Sequence, residues 1–304
     1  MDLGQFRSYI SNSVPILAAS ATLLPSILKQ VQACLLISKN DSFLVNLGND
    51  RLNIMSILCH MCGAASDLAA LDFTLDEGLS GNALKRTIIF FNTRELTQLG
   101  YRHLKRQLPQ NMHDQIGFLH ACQTTDAKNE TMESFQEGKI KILCATEAAG
   151  MVRLVFSFID VFHSQFIYKG LDIPDIEQVI QYMVLSSLSI CVQHFGRAGR
   201  NGQPAIAILL AEPSAFQTKK KNKTKVEANK DDVLVKSEPI DDTFLDSEDE
   251  GDRDGELGMG MEYQKKLEEG MRQWAEALTC RREVANGYFN NPPPHIWRVF
   301  FCTF

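Results

Sequence analysis

Apolar residues in this chain come in short runs, separated by longer stretches with helical spacing. Val14–Ala19 (VPILAA) reads as a buried strand, followed by Ser20-Ala21-Thr22 and a helix with Pro25 in its first turn. Phe43–Leu47 (FLVNL) reads as a second short strand. Ile54–Leu71 reads as a helix, with Cys59 and Cys62 on its apolar face. No second cysteine pair is suitably placed for a metal or redox site, so this CxxC is assigned to core packing. Thr87–Asn92 is a buried strand, and Thr93-Arg94 caps a helix running through Leu108. Strands are then expected at Ile116–Ala121, Ile140–Ala145, Val179–Met183 and Ala205–Leu210. Helices are expected at Thr125–Glu137, with Phe135 inward, and from Ser189 through His194. Glu262–Phe289 returns to helical periodicity, with Trp274, Leu278 and Tyr288 as anchors.

Strands alternating with helices indicate an α/β fold, a parallel sheet with helices on both faces. Ligands in such folds bind beyond the carboxyl ends of strands. That rule draws attention to Thr93, His120, Thr146 and the segment Gln193–Arg200. The first strand lies only a few residues after Met1, so the chain is expected to begin within a domain.

Composition changes this picture in one region. The net charge of −6 is concentrated in Glu227–Glu256, where thirteen acids meet three bases, leaving 28 bases against 24 acids elsewhere. Residues 214–261 are therefore read as a disordered charged linker, a possible protein-partner segment. Its Lys219–Lys225 run is a candidate nuclear localisation signal, and Val235-Lys-Ser-Glu238 fits a SUMO-acceptor pattern; a plain solvated linker is the alternative to both. The eight cysteines are dispersed, several within apolar runs, as expected of reduced thiols in an intracellular protein. Val152–Lys169 is the sole membrane-like stretch, and Arg153, Asp160, His163 and Lys169 make it a poor span.

The chemistry concentrates between Lys139 and Gly202. Arg197 and Arg200 stand three residues apart among glycines in QHFGRAGRNG, where small residues let the backbone approach a phosphate and two guanidiniums reach its oxygens. With this segment, ILCATEAAGM and GLDIPDIEQVIQY, the tripeptide Ser20-Ala21-Thr22, TIIFFNTR, FLHA, the Arg51-x-Asn53 step and CRREVANGYF resemble the RecQ-type DNA helicases of helicase superfamily two. In that resemblance they correspond to motif VI, the two halves of motif V, motif III and motif IV, followed by smaller matches in family order. DEAD-box RNA helicases usually read His-Arg where Gln193-His194 stands and lack the CRR segment.

The resemblance implies two RecA-like domains with ATP and Mg2+ in the cleft between them. This chain would supply the tail of the first domain (1–50), the second domain (51–213) and the truncated start of a zinc-binding subdomain (262–297). Arg200 with Arg197 would be the arginine finger, and Gly170, Asp172 and Gln193 would face the nucleotide. Thr93, Arg94, His120 and Thr146 would hold the DNA backbone at single-strand/duplex junctions, and Ser20 and Thr22 would couple hydrolysis to movement. No G-x-x-x-x-G-K-[ST] occurs in the chain, so by itself it is expected not to hydrolyse ATP. Cys280 matches the first of four zinc ligands, and Cys302 lies in a sequence unlike the expected paired cysteines, so zinc is not expected to bind here. Nuclear DNA repair and recombination is the implied setting. Rival readings are a non-catalytic nucleic-acid-binding or regulatory protein and an RNA-helicase fragment.

Family spacing also exposes Val152–Lys169 as an insert. Thr146 and Asp172 are 26 residues apart, and removing these 18 would make the interval 8. Valine codons begin GT and one lysine codon ends AG, so the segment reads as a retained intron translated in frame, a true loop insertion being the alternative. Eleven of its residues are apolar or aromatic, a composition prone to aggregation when exposed.

Overall fold

The computed structural model describes residues 9, 14–38, 40, 42–63, 66–147, 173–220 and 261–293. The insert, Gly170, Asp172 and the whole acidic segment Glu227–Glu256 lie outside the described residues. The main unit comprises Met1–Pro213 and Lys266–Phe304.

Its core is a six-stranded parallel sheet. The strands are β1 (Ile54–His60), β2 (Thr87–Phe91), β3 (Ile116–Leu119), β4 (Ile142–Thr146), β5 (Gln178–Tyr182) and β6 (Ala205–Ala211), in the order β1-β6-β5-β2-β4-β3. The helices are α1 (Pro25–Cys34), the single turn α2 (Asp76–Leu79), α3 (Arg94–Gln107), α4 (Thr125–Gln136), α5 (Leu188–Phe195), α6 (Glu269–Ala275) and α7 (Arg281–Phe289). The three central strands β5, β2 and β4 are buried along their whole length, as a parallel sheet covered by helices requires. Burying each large apolar side chain contributes about 1.5–3 kcal/mol, and Ile88, Ile89, Phe90, Ile142 and Ile180 are fully enclosed. Helix α3 lies close over β2, since a Cβ on Gly100 would come within 2.3 Å of the Phe91 ring.

The alternating part of the chain folds as its pattern predicts, within one or two residues at the strand ends. The first third departs from it. Ile54–His60 is a strand, not the start of a helix, and pairs residue for residue with Ala205–Ala211. A seven-residue stretch with five apolar positions fits either element, and here the distant partner strand decides. Leu68–Leu75 then forms a 3-10 helix started by Asp67, whose side chain accepts from the Ala69 N–H at 3.2 Å. Cys59, near the end of β1, and Cys62, just after it, are both exposed, so the core-packing assignment does not hold. Val14–Ala19 and Phe43–Leu47 belong to no β-ladder among the described residues, and Leu17, Phe43 and Leu47 are 92%, 92% and 87% exposed. An apolar run states a capacity for burial, whereas a strand also needs a hydrogen-bonding neighbour.

The C-terminal periodicity resolves into two helices. Trp274 is buried on α6, and Tyr288 on α7 packs over Gly270 with its hydroxyl donating to Glu268 at 3.2 Å. Leu278 is 97% exposed because it falls in the turn between the helices, so it anchors nothing. Arg282 fastens α7 to the start of β1: it pairs with Asp50 and donates to the carbonyls of Ile54 (2.7 Å) and Arg51 (3.2 Å). Ser214–Lys265 forms a separate unit, in which Thr218–Lys220 (β7) pairs antiparallel with Met261–Tyr263 (β8). No helix of the described residues is long and apolar enough to cross a membrane.

Candidate nucleic-acid and phosphate interface

Strand register brings three of the sequence-selected residues together. Phe91 pairs with Thr146 and Leu119 with Ala145, so Thr93, His120 and Thr146 gather at the carboxyl ends of β2, β3 and β4. Thr93 is the N-cap of α3, its hydroxyl accepting from the Leu96 N–H at 3.2 Å. Arg94 reaches across to the loop after β3, its guanidinium 2.6 Å from the Cys122 sulfur.

His120 and Thr146 are both more than nine-tenths buried, and each keeps one polar atom, Nδ1 and Oγ1, without a partner. His120 accepts at Nε2 from the Gln98 amide (3.0 Å), which places its ring proton on the unpartnered Nδ1. Burial, then the Arg94 and Lys128 cations, hold this imidazole below the ordinary histidine range, against its own backbone hydrogen bond. A neutral N–H donor, a hydroxyl, a helix N-terminus and Arg94 thus converge on one end of the sheet. Each suits an anionic oxygen and none reads a base.

The arginine turn is built elsewhere. Helix α5 returns antiparallel to β5, so the residues after it meet the amino ends of the sheet. Gly199 N–H donates to Ile176 O at 2.8 Å, and Asn201 N–H to Pro174 O at 2.9 Å. The Gly199 carbonyl accepts from Arg51 Nη2 (2.8 Å) and Asn53 Nδ2 (2.7 Å), both ahead of β1. Gly199 has φ +55°, and a Cβ there would lie 2.5 Å from Asn53 Nδ2 and 2.7 Å from Gln203 O. The Arg51-x-Asn53 step is therefore the clamp that shapes the Arg197–Arg200 turn. The carboxyl-end rule fits Thr93, His120 and Thr146 and does not fit this turn, because the connection to β6 must carry the chain back across the sheet.

Gln193, on α5, donates to Thr22 Oγ1 at 2.6 Å, and the Thr22 N–H donates to Ser20 Oγ at 3.3 Å. The residues selected for coupling thus touch the one selected for nucleotide sensing. Cys280 is the N-cap residue of α7. No group of three or more His, Cys, Asp or Glu among the described residues is placed to hold a metal ion.

Sequence reading missed a buried polar chain. Gln181 on β5 donates to Asn92 Oδ1 (2.9 Å) and accepts from His194 Nδ1 (2.8 Å), and the His194 ring stacks on Phe90 at 3.9 Å. Burial, with Arg197 adding to it, lowers the His194 pKa to about 3. Two glutamines in the strand QVIQY were the available signal, since a fully covered strand holds polar side chains only where they find partners.

Residues 70–202 match the family model described as the helicase conserved C-terminal domain. The probable ATP-dependent DNA helicase RecS of Bacillus subtilis is 25% identical over 71% of this chain and 37% of its own length. The ATP-dependent helicase wrn-1 of Caenorhabditis elegans is 26% identical over 70% of this chain and 18% of its own. The pre-mRNA-splicing ATP-dependent RNA helicase PRP28 of Pyricularia oryzae is 26% identical over 42% and 16%. The chain thus spans less than two-fifths of each of these relatives. Dbp5 of S. cerevisiae, solved bound to RNA and ADP BeF3, shares the fold with a TM-score of 0.50 and 18% identity, over 69% of this chain and 48% of that one. The sheet is thus of the RecA-like type, and residues 70–202, which hold β2 to β5 and the arginine turn, are similar to the helicase conserved C-terminal domain.

Proposed function

We propose that this chain is the C-terminal RecA-like part of an ATP-dependent 3′–5′ DNA helicase of RecQ type, acting in nuclear DNA repair and recombination. The observation behind the nucleic-acid half is the pair of buried, unpartnered atoms, His120 Nδ1 and Thr146 Oγ1, beside the N-terminus of α3. An unpaired buried polar group costs about 1–3 kcal/mol, which a phosphate oxygen would relieve. In this reading Thr93, Arg94, His120 and Thr146 grip the backbone. Arg200 and Arg197 reach the γ-phosphate of ATP held with Mg2+ by another RecA-like domain, a contact worth roughly 10³–10⁵ in rate. Gly170, Asp172 and Gln193 face the same nucleotide, and Ser20 and Thr22 link it to the strand. Support for DNA over RNA comes from coverage: the RecS and wrn-1 matches take in about 70% of the chain, the PRP28 match 42%.

Binding of labelled oligothymidylate and oligouridylate by the full chain tests this. Expected are tighter binding to the DNA, loss of roughly tenfold in affinity for His120→Ala with Thr146→Val, and a falling affinity with salt. Equal or tighter binding to the RNA would favour the RNA-helicase reading. Nucleic-acid-stimulated ATP turnover by the chain alone would overturn the assignment of hydrolysis to a second domain.

A further inference from the structure

The phosphate-facing end of β2–β4 and the arginine turn lie toward opposite ends of the sheet, and one buried polar chain runs between them. Gln181 is fully buried in a strand that could have been wholly apolar. Its Nε2 faces three acceptors, Asn92 Oδ1 at 2.9 Å and the carbonyls of Tyr182 and Met183 at 3.2 Å. That surround fixes the amide and leaves Oε1 for the imidazole, so His194 donates from Nδ1. Met183, one of these partners, has φ +71°, a left-handed backbone in which a side-chain-bearing residue is strained.

Both ends of the chain reach exposed functional groups. Asn92 directly precedes Thr93 and Arg94. At the other end the His194 carbonyl accepts the Arg197 N–H at 3.0 Å, and neighbouring Gln193 holds Thr22. The imidazole lies flat on Phe90, 8° from parallel, at the level where β2 pairs with Gln181. Movement of the arginine turn therefore has a direct hydrogen-bonded route to the Asn92–Arg94 turn.

We propose that Asn92, Gln181 and His194 form a positioning relay through which the Gln193–Arg200 segment sets the conformation of the Asn92–Arg94 turn and so tunes its hold on a nucleic-acid backbone. The nucleic-acid part of this inference rests on the function proposed above. These three residues act through others and touch no reacting group.

The test compares Gln181→Leu, His194→Phe and the double variant with the unaltered full chain. A merely structural role predicts that the double variant, in which both buried partners become apolar, recovers thermal stability and oligothymidylate affinity together. The relay predicts recovery of stability alone. Each single variant and the double variant then bind oligothymidylate roughly threefold or more weakly, and the effects do not add. Full affinity in a stable double variant, or additive losses, would overturn the relay.

A second arm needs no ligand. Gln193→Ala is expected to shift the side-chain amide resonance of Asn92 in the unaltered background and to leave it unmoved when Gln181 and His194 are both apolar. The same shift in both backgrounds sinks the relay. A relay-dependent shift in a chain that binds no oligonucleotide sustains the relay and refutes the nucleic-acid reading instead.

Discussion

Gly199 and His194 show how single residues set the arginine turn. Gly199 sits at φ +55° with backbone and amide atoms where a Cβ would go, so neither its conformation nor its space admits a side chain. Gly199→Ala is expected to cost at least about 1–2 kcal/mol from the left-handed backbone alone, measured as a lowered urea midpoint with unchanged slope. His194 supplies a pH dependence. Its folded pKa of about 3 lies below the ordinary 6.5, so between these values the unfolded chain binds the proton more readily. Its contribution is complete above pH 6.5 and is lost as pH falls toward 3. The slope is at most about 1.4 kcal/mol per pH unit. His194→Gln, which cannot titrate, should show a shallower fall in stability between pH 7 and pH 4 in urea melts. An equal slope in both proteins would contradict the assignment. The arginines of this turn were legible from sequence because glycines and guanidiniums are local signals. Gln181 was not, because a buried amide declares itself only through partners on other elements.

At the scale of elements, α7 depends on Arg282. Its guanidinium pairs with Asp50 and two carbonyls ahead of and within β1, more than 225 residues away in sequence. Arg282→Ala removes the cation from the part-buried Asp50 and one donor from each carbonyl, leaving Asp50 with Asn286 Nδ2 (3.4 Å) and the Arg51 carbonyl with the Ile54 N–H (3.0 Å), a loss of about 1–3 kcal/mol. Hydrogen exchange should accelerate across Arg281–Phe289 and spare β2 and β4. Uniform acceleration would mean that α7 opens only with the whole domain. The second clasp is Arg86, buried at the start of β2. It pairs with Asp175, donates to the carbonyls of Phe135 and Gln136, and lies 5.1 Å from the centre of the Phe135 ring. It ties the ends of β2 and α4 to the approach to β5. The helices and central strands of this region could be read from the sequence because their periodicity is local. The clasps could not, since neither Arg86 nor Arg282 lies in a motif that names its partner.

For the whole molecule, the sequence-derived insert sets the next prediction. Deleting Val152–Lys169 joins Met151 to Gly170 and restores the 8-residue interval from Thr146 to Asp172. The deleted protein is expected to be more soluble and to bind oligothymidylate more tightly, and transcript reads should include the junction joining Met151 to Gly170. Uniform read coverage across the segment, with no gain in affinity, would mark it as a genuine loop.

By itself the sequence determined the alternating strands and helices from Thr87 to Leu210, the capping of α3 by Thr93 and the segments whose similarity to the helicase C-terminal model runs over residues 70–202, because each is written in neighbouring residues. It also placed Thr93, His120 and Thr146 together, since consecutive parallel strands end on the same side of their sheet. Only the tertiary structure decided that Ile54–His60 is a strand, because its ladder partner lies about 150 residues later. The same holds for the exposure of Leu17 and Phe43 and for the position of the arginine turn at the amino ends of the sheet. Hydrophobic periodicity reports what a segment can bury. The partner that buries it, and the end of the sheet to which the chain returns, are properties of contacts between distant residues.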